Sequence, residues 1–474
     1  MLEIAAFLLP LAIGVLFVAA WPPLNTSGPR WARYVFQAGL GALVGIGLAS
    51  VLYFLLVVSG AATPATILGS ETAALILALW IWQKRRTPAA ATEAQPGFRW
   101  TWALATCFGI VLAFVWTRIV QLATALPVGD WDAWAIWNLR AKFLAGPPGA
   151  WRSALSPLID NTHPDYPLLL SGFIASVWKC GGTTDTLAPI AVGMLFFAAL
   201  IALLTSAVAL LRSTASGLMA GLVLLSTTSL LIWTPAQYSD VPLAAYILGA
   251  VALLSLEAST ERAPLFWAGM CAGLAAWTKN EGLAFLIWMT MVYFLLSLRK
   301  RGLRTTSIAT SWLLLGALPG LLCTAWLKLV SASATDTLLT HGASGLRELT
   351  DFARHAVILR GFLSHVLTLG NGIAHPLILL LILILFVRPD RSAVDSSATW
   401  ITSITLLLGL VSFYVAFLIT PNGATWQVET ALDRLILQIW PAALLIFFVW
   451  LRRVADPAVA PAKSNTTEAR RKKK

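Results

Sequence analysis

Apolar runs of about twenty residues, separated by short polar breaks, recur along the whole chain. That is the length a helix needs to cross a bilayer core of about 30 Å. The runs fall near residues 2–21, 35–59, 64–82, 100–126, 187–211, 217–233, 238–256, 264–278, 281–298, 306–330, 374–387, 399–420 and 435–451. Two further stretches, 165–181 and 352–370, are short or are interrupted by Asp165, Lys179, Arg354, Arg360 and His365. The pattern predicts an all-α polytopic membrane protein built as a bundle of about thirteen transmembrane helices.

The polar breaks orient the bundle. Lys84-Arg85-Arg86, Arg299-Lys300-Arg301 and the tail Arg470 to Lys474 are basic clusters of the kind found in cytoplasmic loops. With the first cluster inside, loop 127–186 lies outside, and Arg212, Arg262, Arg388, Arg391 and the tail fall inside only if neither ambiguous stretch crosses. Both stretches are therefore read as interfacial or re-entrant helices on the outer side. The chain then divides into a three-span unit (1–82), a Pro/Ala-rich cytoplasmic link (83–99), a transmembrane module (100–330) carrying external loop 127–186, a second transmembrane region (331–454) and a basic cytoplasmic tail (455–474).

Composition agrees. Only 11% of the 474 residues are charged and the mean hydropathy is +0.79, where a soluble protein carries roughly a quarter charged residues. The net charge of +12 sits in short loops between apolar runs, which argues against nucleic acid as a partner. The four cysteines show no CxxC spacing, so neither a thiolate metal site nor a disulfide framework is indicated. Residues 1–20 lack a basic start and read as a first span rather than a cleaved signal.

Once the spans are oriented, the remaining polar residues gather on the outer face. Asp130, Asp132, Arg140 and Lys142 open the large loop; His163, Asp165 and Tyr166 follow in "NTHPDYPLLL". Tyr238 and Asp240 stand in "PAQYSDVPL", Lys279 and Glu281 in "TKNEGL", and His341, His355 and His365 come later. Glu429, Asp433 and Arg434 lie in "TPNGATWQVETALDRLILQIWP". Each has an ordinary structural use: Asp130, Asp132 and Asp240 as helix caps, His163-Pro164 as a turn, Lys279 and Glu281 as hairpin polarity, Arg434 as an interfacial anchor. Together, at one membrane face and each at the edge of a different span, they mark a site, because ionisable groups at membrane depth are costly. A carboxylate there can deprotonate an acceptor hydroxyl, and cations, with or without a divalent metal, can stabilise a departing phosphate. Asp132, Asp240 and His163 offer donors for Mg²⁺, Mn²⁺ or Zn²⁺.

These residues resemble the polytopic glycosyltransferases of the GT-C class, especially bacterial aminoarabinose transferases and protein O-mannosyltransferase-like enzymes. "DAWAIWNLRAKFLAG" from Asp132 is similar to the helix headed by an acid in that family's first external loop. "HPDYPLLL" resembles its later Pro-Tyr element, with Asp165 in place of the second proline. Asp240 in "SDVPLAAYILG" matches a second external aspartate, and Lys279 in "GMCAGLAAWTKNEG" a Thr-Lys element that closes a Gly-rich span. The likeness covers roughly residues 100–330; the three spans before residue 83 are extra, and residues 454–474 are too short to form an external soluble domain.

The resemblance implies a GT-C-like fold and a membrane glycosyltransferase of inverting type in the bacterial cytoplasmic membrane, its active site facing outside. A sugar on a polyprenyl-phosphate donor would pass to a lipid, glycan or protein acceptor. Asp132, with Asp130 beside it, is the expected catalytic base; Lys279, Arg434 and His163 are expected to bind the donor phosphate; Tyr166, Asp240 and Glu281 are expected to contact substrate. A transporter or flippase of a lipid-linked glycan intermediate is the competing reading. Charges kept at one surface, with no visible internal repeat, favour the enzyme.

Overall fold

In a computed structural model, residues 1–22, 28–85, 99–256, 262–331, 348–370, 375–390 and 396–454 are described. Most of the proposed link at 83–99, the tail 455–474 and His341 lie outside the described residues. The described chain is helical, with no β-strand.

The chain runs α1 (Leu2–Ala20), α2 (Arg30–Val58), α3 (Pro64–Arg85) and α4 (Arg99–Ala125), then enters the long loop 127–186 with α5 (Asn138–Ala145) and α6 (Leu169–Gly181). It continues as α7 (Leu187–Leu211), α8 (Thr214–Leu225), α9 (Thr228–Trp233), α10 (Asp240–Leu256), α11 (Arg262–Thr278), α12 (Asn280–Arg301) and α13 (Leu303–Ser331). The last four helices are α14 (Phe352–Leu367), α15 (Pro376–Phe386), α16 (Ser397–Ile419) and α17 (Ala424–Trp450).

Among the described residues nine helices, α1 to α4, α7, α12, α13, α16 and α17, are long and apolar enough to cross a membrane. The chain is a multi-pass membrane protein. The other predicted spans are shorter. α10 and α11 have 17 residues each, about 25 Å of helix. The predicted span 217–233 is broken into α8 and α9: Ser226 and Thr227 intervene, and the hydroxyl of Ser226 bonds back to the Val223 carbonyl at 2.8 Å at the end of the first piece. The predicted span 374–387 holds only the 11 residues of α15, about 16 Å.

The two ambiguous stretches also become helices. α6 is buried almost throughout and packs against α1, α2 and α5. α14 is amphipathic: Ile358 and Gly361 are buried, while Phe352, Leu359 and Leu363 are exposed. Its Asp351 N-cap accepts from the amides of Ala353 and Arg354.

Packing is closest where side chains are smallest. Gly269 and Gly273 of α11 face Leu313 and Ala317 of α13, while Gly316 and Gly320 face Phe266 and Gly273, so a Cβ at any of the four would meet backbone of the neighbouring helix. Two G-x-x-x-G pairs thus bring these backbones together, the arrangement that helix association in a membrane favours. α2 lies centrally, against α1, α6, α7, α11 and α13. The alternation of helix directions gives the bundle two ends. Residues of the loop 127–186 and the starts of α10 and α12 share one end; Arg212, Arg262, Arg299 to Arg301 and Arg452 share the other.

Candidate functional site

At the loop end, acids and cations from six parts of the chain converge. Asp132 stands where α4 has turned through Gly129, whose positive φ of 73° and close approach to the Ala236 carbonyl suit glycine alone. A short π-helical turn, Ala133–Trp137, then feeds α5. The Asp132 amide donates to the Tyr238 hydroxyl at 3.2 Å, and Asp132 Oδ2 accepts from Arg434 Nη1 of α17 at 2.5 Å. Among the described residues Oδ1 of Asp132 has no partner. The Arg434 guanidinium lies over the rings of Trp233 and Tyr238, at 5.5 and 5.1 Å from their centroids. Its Nε is buried and unbonded.

One turn further along α17, Gln438 donates to Asp240 Oδ1 at 2.6 Å, and Lys279 Nζ donates to the same oxygen at 2.9 Å. Lys279 is also 3.1 Å from Glu281 Oε1, while Glu281 Oε2 is buried without a partner. Asp240 and Lys279 are 1% and 7% exposed by side chain, so this pair is out of water. Lys279 occupies the break between α11 and α12 with extended φ and ψ, and so reaches across to α10.

The third group comes from the loop 127–186. Trp137, Tyr166 and His163 form a stacked column with centroid separations of 5.8 and 4.7 Å, and Lys279 Nζ lies 5.9 Å from the Tyr166 ring. Asp165 Oδ2 accepts from Asn280 at 2.8 Å and pairs with Lys328 of α13 at 3.4 Å. Burial first, then the negative charge of Glu281, raises the Tyr166 phenol well above its ordinary value, so it stays a hydroxyl. Arg140 holds the segment from below, donating to the carbonyls of His163 and Pro164 at 3.5 and 3.3 Å; complete burial lowers its guanidinium to about 10.

α2, in the N-terminal part of the chain, reaches this assembly. Ser50 of α2 donates to the Leu168 carbonyl at 3.4 Å and accepts from Trp277 Nε1 at 3.2 Å, touching both the 163–168 segment and the helix that ends at Lys279. Tyr53, one turn on, donates to the Leu144 carbonyl at the end of α5 at 2.9 Å.

Asp132, Asp240, Lys279, Glu281, Tyr166 and Arg434 are thus brought together. Asp130 is not part of this contact set: it is exposed, and its carboxylate caps the following amide, Trp131, at 2.7 Å. His163 is exposed at the rim, held at a φ of 49°. The metal set of Asp132, Asp240 and His163 needs correction. No group of three or more His, Cys, Asp or Glu among the described residues is arranged to hold a metal ion. Asp132 and Asp240 are each engaged by a cationic side chain instead, and His163 is stacked on Tyr166. His355 bonds the Tyr414 hydroxyl and the Leu349 carbonyl, and His365 its own helix, so neither joins the cluster.

Sequence reading passed over Gln438, Asn280 and Lys328. Gln438 had a usable signal: it follows Arg434 by four positions, one helical turn on the same face. Comparison of the chain with protein-family models, curated proteins and solved structures gives no match.

Proposed function

We propose that the chain is a membrane glycosyltransferase that passes a sugar from a polyprenyl-phosphate donor to an acceptor hydroxyl at the extracytoplasmic face. The observation that carries this reading is the divided use of Arg434 and Asp132. Arg434 spends Nη1 on Asp132 and keeps a buried, unbonded Nε. A guanidinium with an N–H still unpaired has capacity left for a phosphate oxygen. Asp132 spends Oδ2 and keeps Oδ1. In the proposed step Oδ1 takes the acceptor's proton, the acceptor oxygen bonds the anomeric carbon, and the bond from that carbon to the phosphate oxygen breaks. Polyprenyl phosphate leaves with the bonding pair, and the anomeric centre inverts. Lys279 adds positive charge beside the leaving group, and Tyr166, Asp240 and Glu281 line the space for the sugar and acceptor; His163 reaches the same donor from the rim. An electrostatic site already organised before substrate arrives suits transition-state stabilisation.

The purified chain, given a radiolabelled polyprenyl-phosphate sugar and a pool of candidate acceptors, should release polyprenyl phosphate, and Asp132→Asn should not. Movement of the intact donor across proteoliposomes, with no release, would make the protein a flippase and overturn the reading.

A further inference from the structure

The end of the bundle opposite the site holds a second feature. The N-terminal parts of α11 and α13 border an open depression of about 440 Å³ lined by Arg262, Arg304, Thr305, Ile308, Ala309 and Trp312. Along the 17 residues of α11 it lies about 25 Å from Lys279, so it belongs to a different surface. Its floor is fixed. Trp312 is packed edge-on by Trp21 at 5.8 Å, Trp21 packs on Phe266 at 5.1 Å, and the Trp21 carbonyl accepts from Trp267 Nε1 at 2.8 Å. Arg262 lies over the Trp312 ring at 5.5 Å.

The depression carries two positive charges. Arg212, Lys279, Lys328, Arg354 and Arg434 each have a carboxylate at ion-pair distance. Among the described residues no carboxylate pairs with Arg262 or Arg304. Two guanidiniums beside one concavity repel each other, and an anion between them removes that repulsion while accepting charge-assisted hydrogen bonds. Next to the charges the lining is apolar: Ile308, one helical turn from Arg304, is 51% exposed, with Ala309 and Trp312 beside it. A phosphate next to hydrocarbon describes a lipid headgroup more closely than a free ion.

We propose that this depression is a binding site for the phosphate of an anionic phospholipid. The phosphodiester is held between Arg262 and Arg304, with the Thr305 hydroxyl as a further donor, and the glycerol and first acyl carbons lie on Ile308 and Trp312. Basic pockets between membrane helices bind anionic headgroups in this way. The proposal does not depend on the chemistry at the other end.

Native mass spectrometry of the full chain in neutral detergent, titrated with phosphatidylglycerol, phosphatidylcholine or inorganic phosphate, tests it. The wild type should retain phosphatidylglycerol in preference to phosphatidylcholine. Arg262→Gln/Arg304→Gln should bind it roughly tenfold or more weakly. Both arginines are exposed, so this variant should fold, and Arg262→Lys/Arg304→Lys should recover part of the affinity. Arg452→Gln/Arg453→Gln, which removes equal charge from the same end, should bind as wild type. Undiminished binding by the Arg262→Gln/Arg304→Gln variant, or an equal loss in the Arg452→Gln/Arg453→Gln control, refutes the site. Displacement of the lipid by millimolar inorganic phosphate refutes the lipid assignment.

Discussion

Arg434 and Asp132 are separated by 302 positions in the chain and meet at 2.5 Å, closing the loop after α4 onto α17. The pair uses one carboxylate oxygen of Asp132 and one terminal nitrogen of Arg434, and the buried Nε of Arg434 stays unbonded.

Asp132→Asn keeps size and polarity but removes the carboxylate proposed as the base. Sugar transfer should fall by about 10²–10⁴-fold, with unchanged helix content and donor affinity. Asp130→Asn, which alters only a local cap, should keep most activity. Single-turnover transfer measured on both variants decides: an inactive Asp130→Asn beside an active Asp132→Asn would exchange their roles.

The buried pair of Asp240 and Lys279 gives a stability prediction. Asp240→Leu leaves Lys279 buried with one acid fewer and should destabilise by about 3–5 kcal/mol; Asp240→Leu/Lys279→Met should regain much of that. Cys180, Cys271 and Cys323 are buried and free while Cys107 is exposed. Thermal unfolding can therefore be followed with a thiol-reactive dye in a Cys107→Ser background. A double variant no better than the single would mean that the two side chains are not energetically coupled.

How much of this was legible beforehand depends on the kind of signal. Asp132, Tyr166, Asp240, Lys279 and Arg434 were found from position alone, because each is a polar break beside an apolar run. Their partners were not. Who pairs with whom depends on helix direction and depth, and residues 424–434 read as loop because polar residues interrupt them. In the structure Val428, Leu432, Leu435 and Ile436 form a buried stripe at helical spacing, so α17 starts at Ala424 and carries Arg434 inside a helix. The broken pair α8 and α9 was missed for the reverse reason: Ser and Thr do not interrupt a hydropathy pattern, yet their hydroxyls end a helix.

Tyr166 supplies a pH signature. Its phenol is raised in the folded chain, so the folded state holds that proton more tightly than the unfolded state does. This contribution is complete below tyrosine's ordinary value near 10 and is lost as pH rises above it. Tyr166→Phe should flatten the alkaline fall in unfolding temperature relative to wild type; identical slopes would show that Tyr166 is not the group responsible.

α2 ties the N-terminal part of the chain to the site. Ser50→Ala and Tyr53→Phe remove buried hydrogen bonds to the Leu168 and Leu144 carbonyls, each costing about 1–3 kcal/mol. Because Ser50 touches both site-bearing segments, Ser50→Ala should also raise KM for the donor, whereas a purely structural role would lower only the unfolding temperature.

Orientation is testable directly. In the Cys107→Ser background, a cysteine at Leu158, 93% exposed in the loop 127–186, should react with an impermeant thiol reagent in intact spheroplasts. One at Leu303, 64% exposed at the other end, should react only after lysis. The opposite pattern would turn the site toward the cytoplasm.

The contact between Asp132 and Arg434 also has a history in time. A chain made from its N-terminus at about 5–20 residues per second exposes Asp132 well before Arg434 exists, by some tens of seconds. Asp240 waits only 39 residues for Lys279, but 198 for Gln438. Until the final helix arrives, the nascent chain carries Asp132 without its cation. A chain that stops short of residue 434 therefore lacks both the cation that meets Asp132 and the amide that meets Asp240.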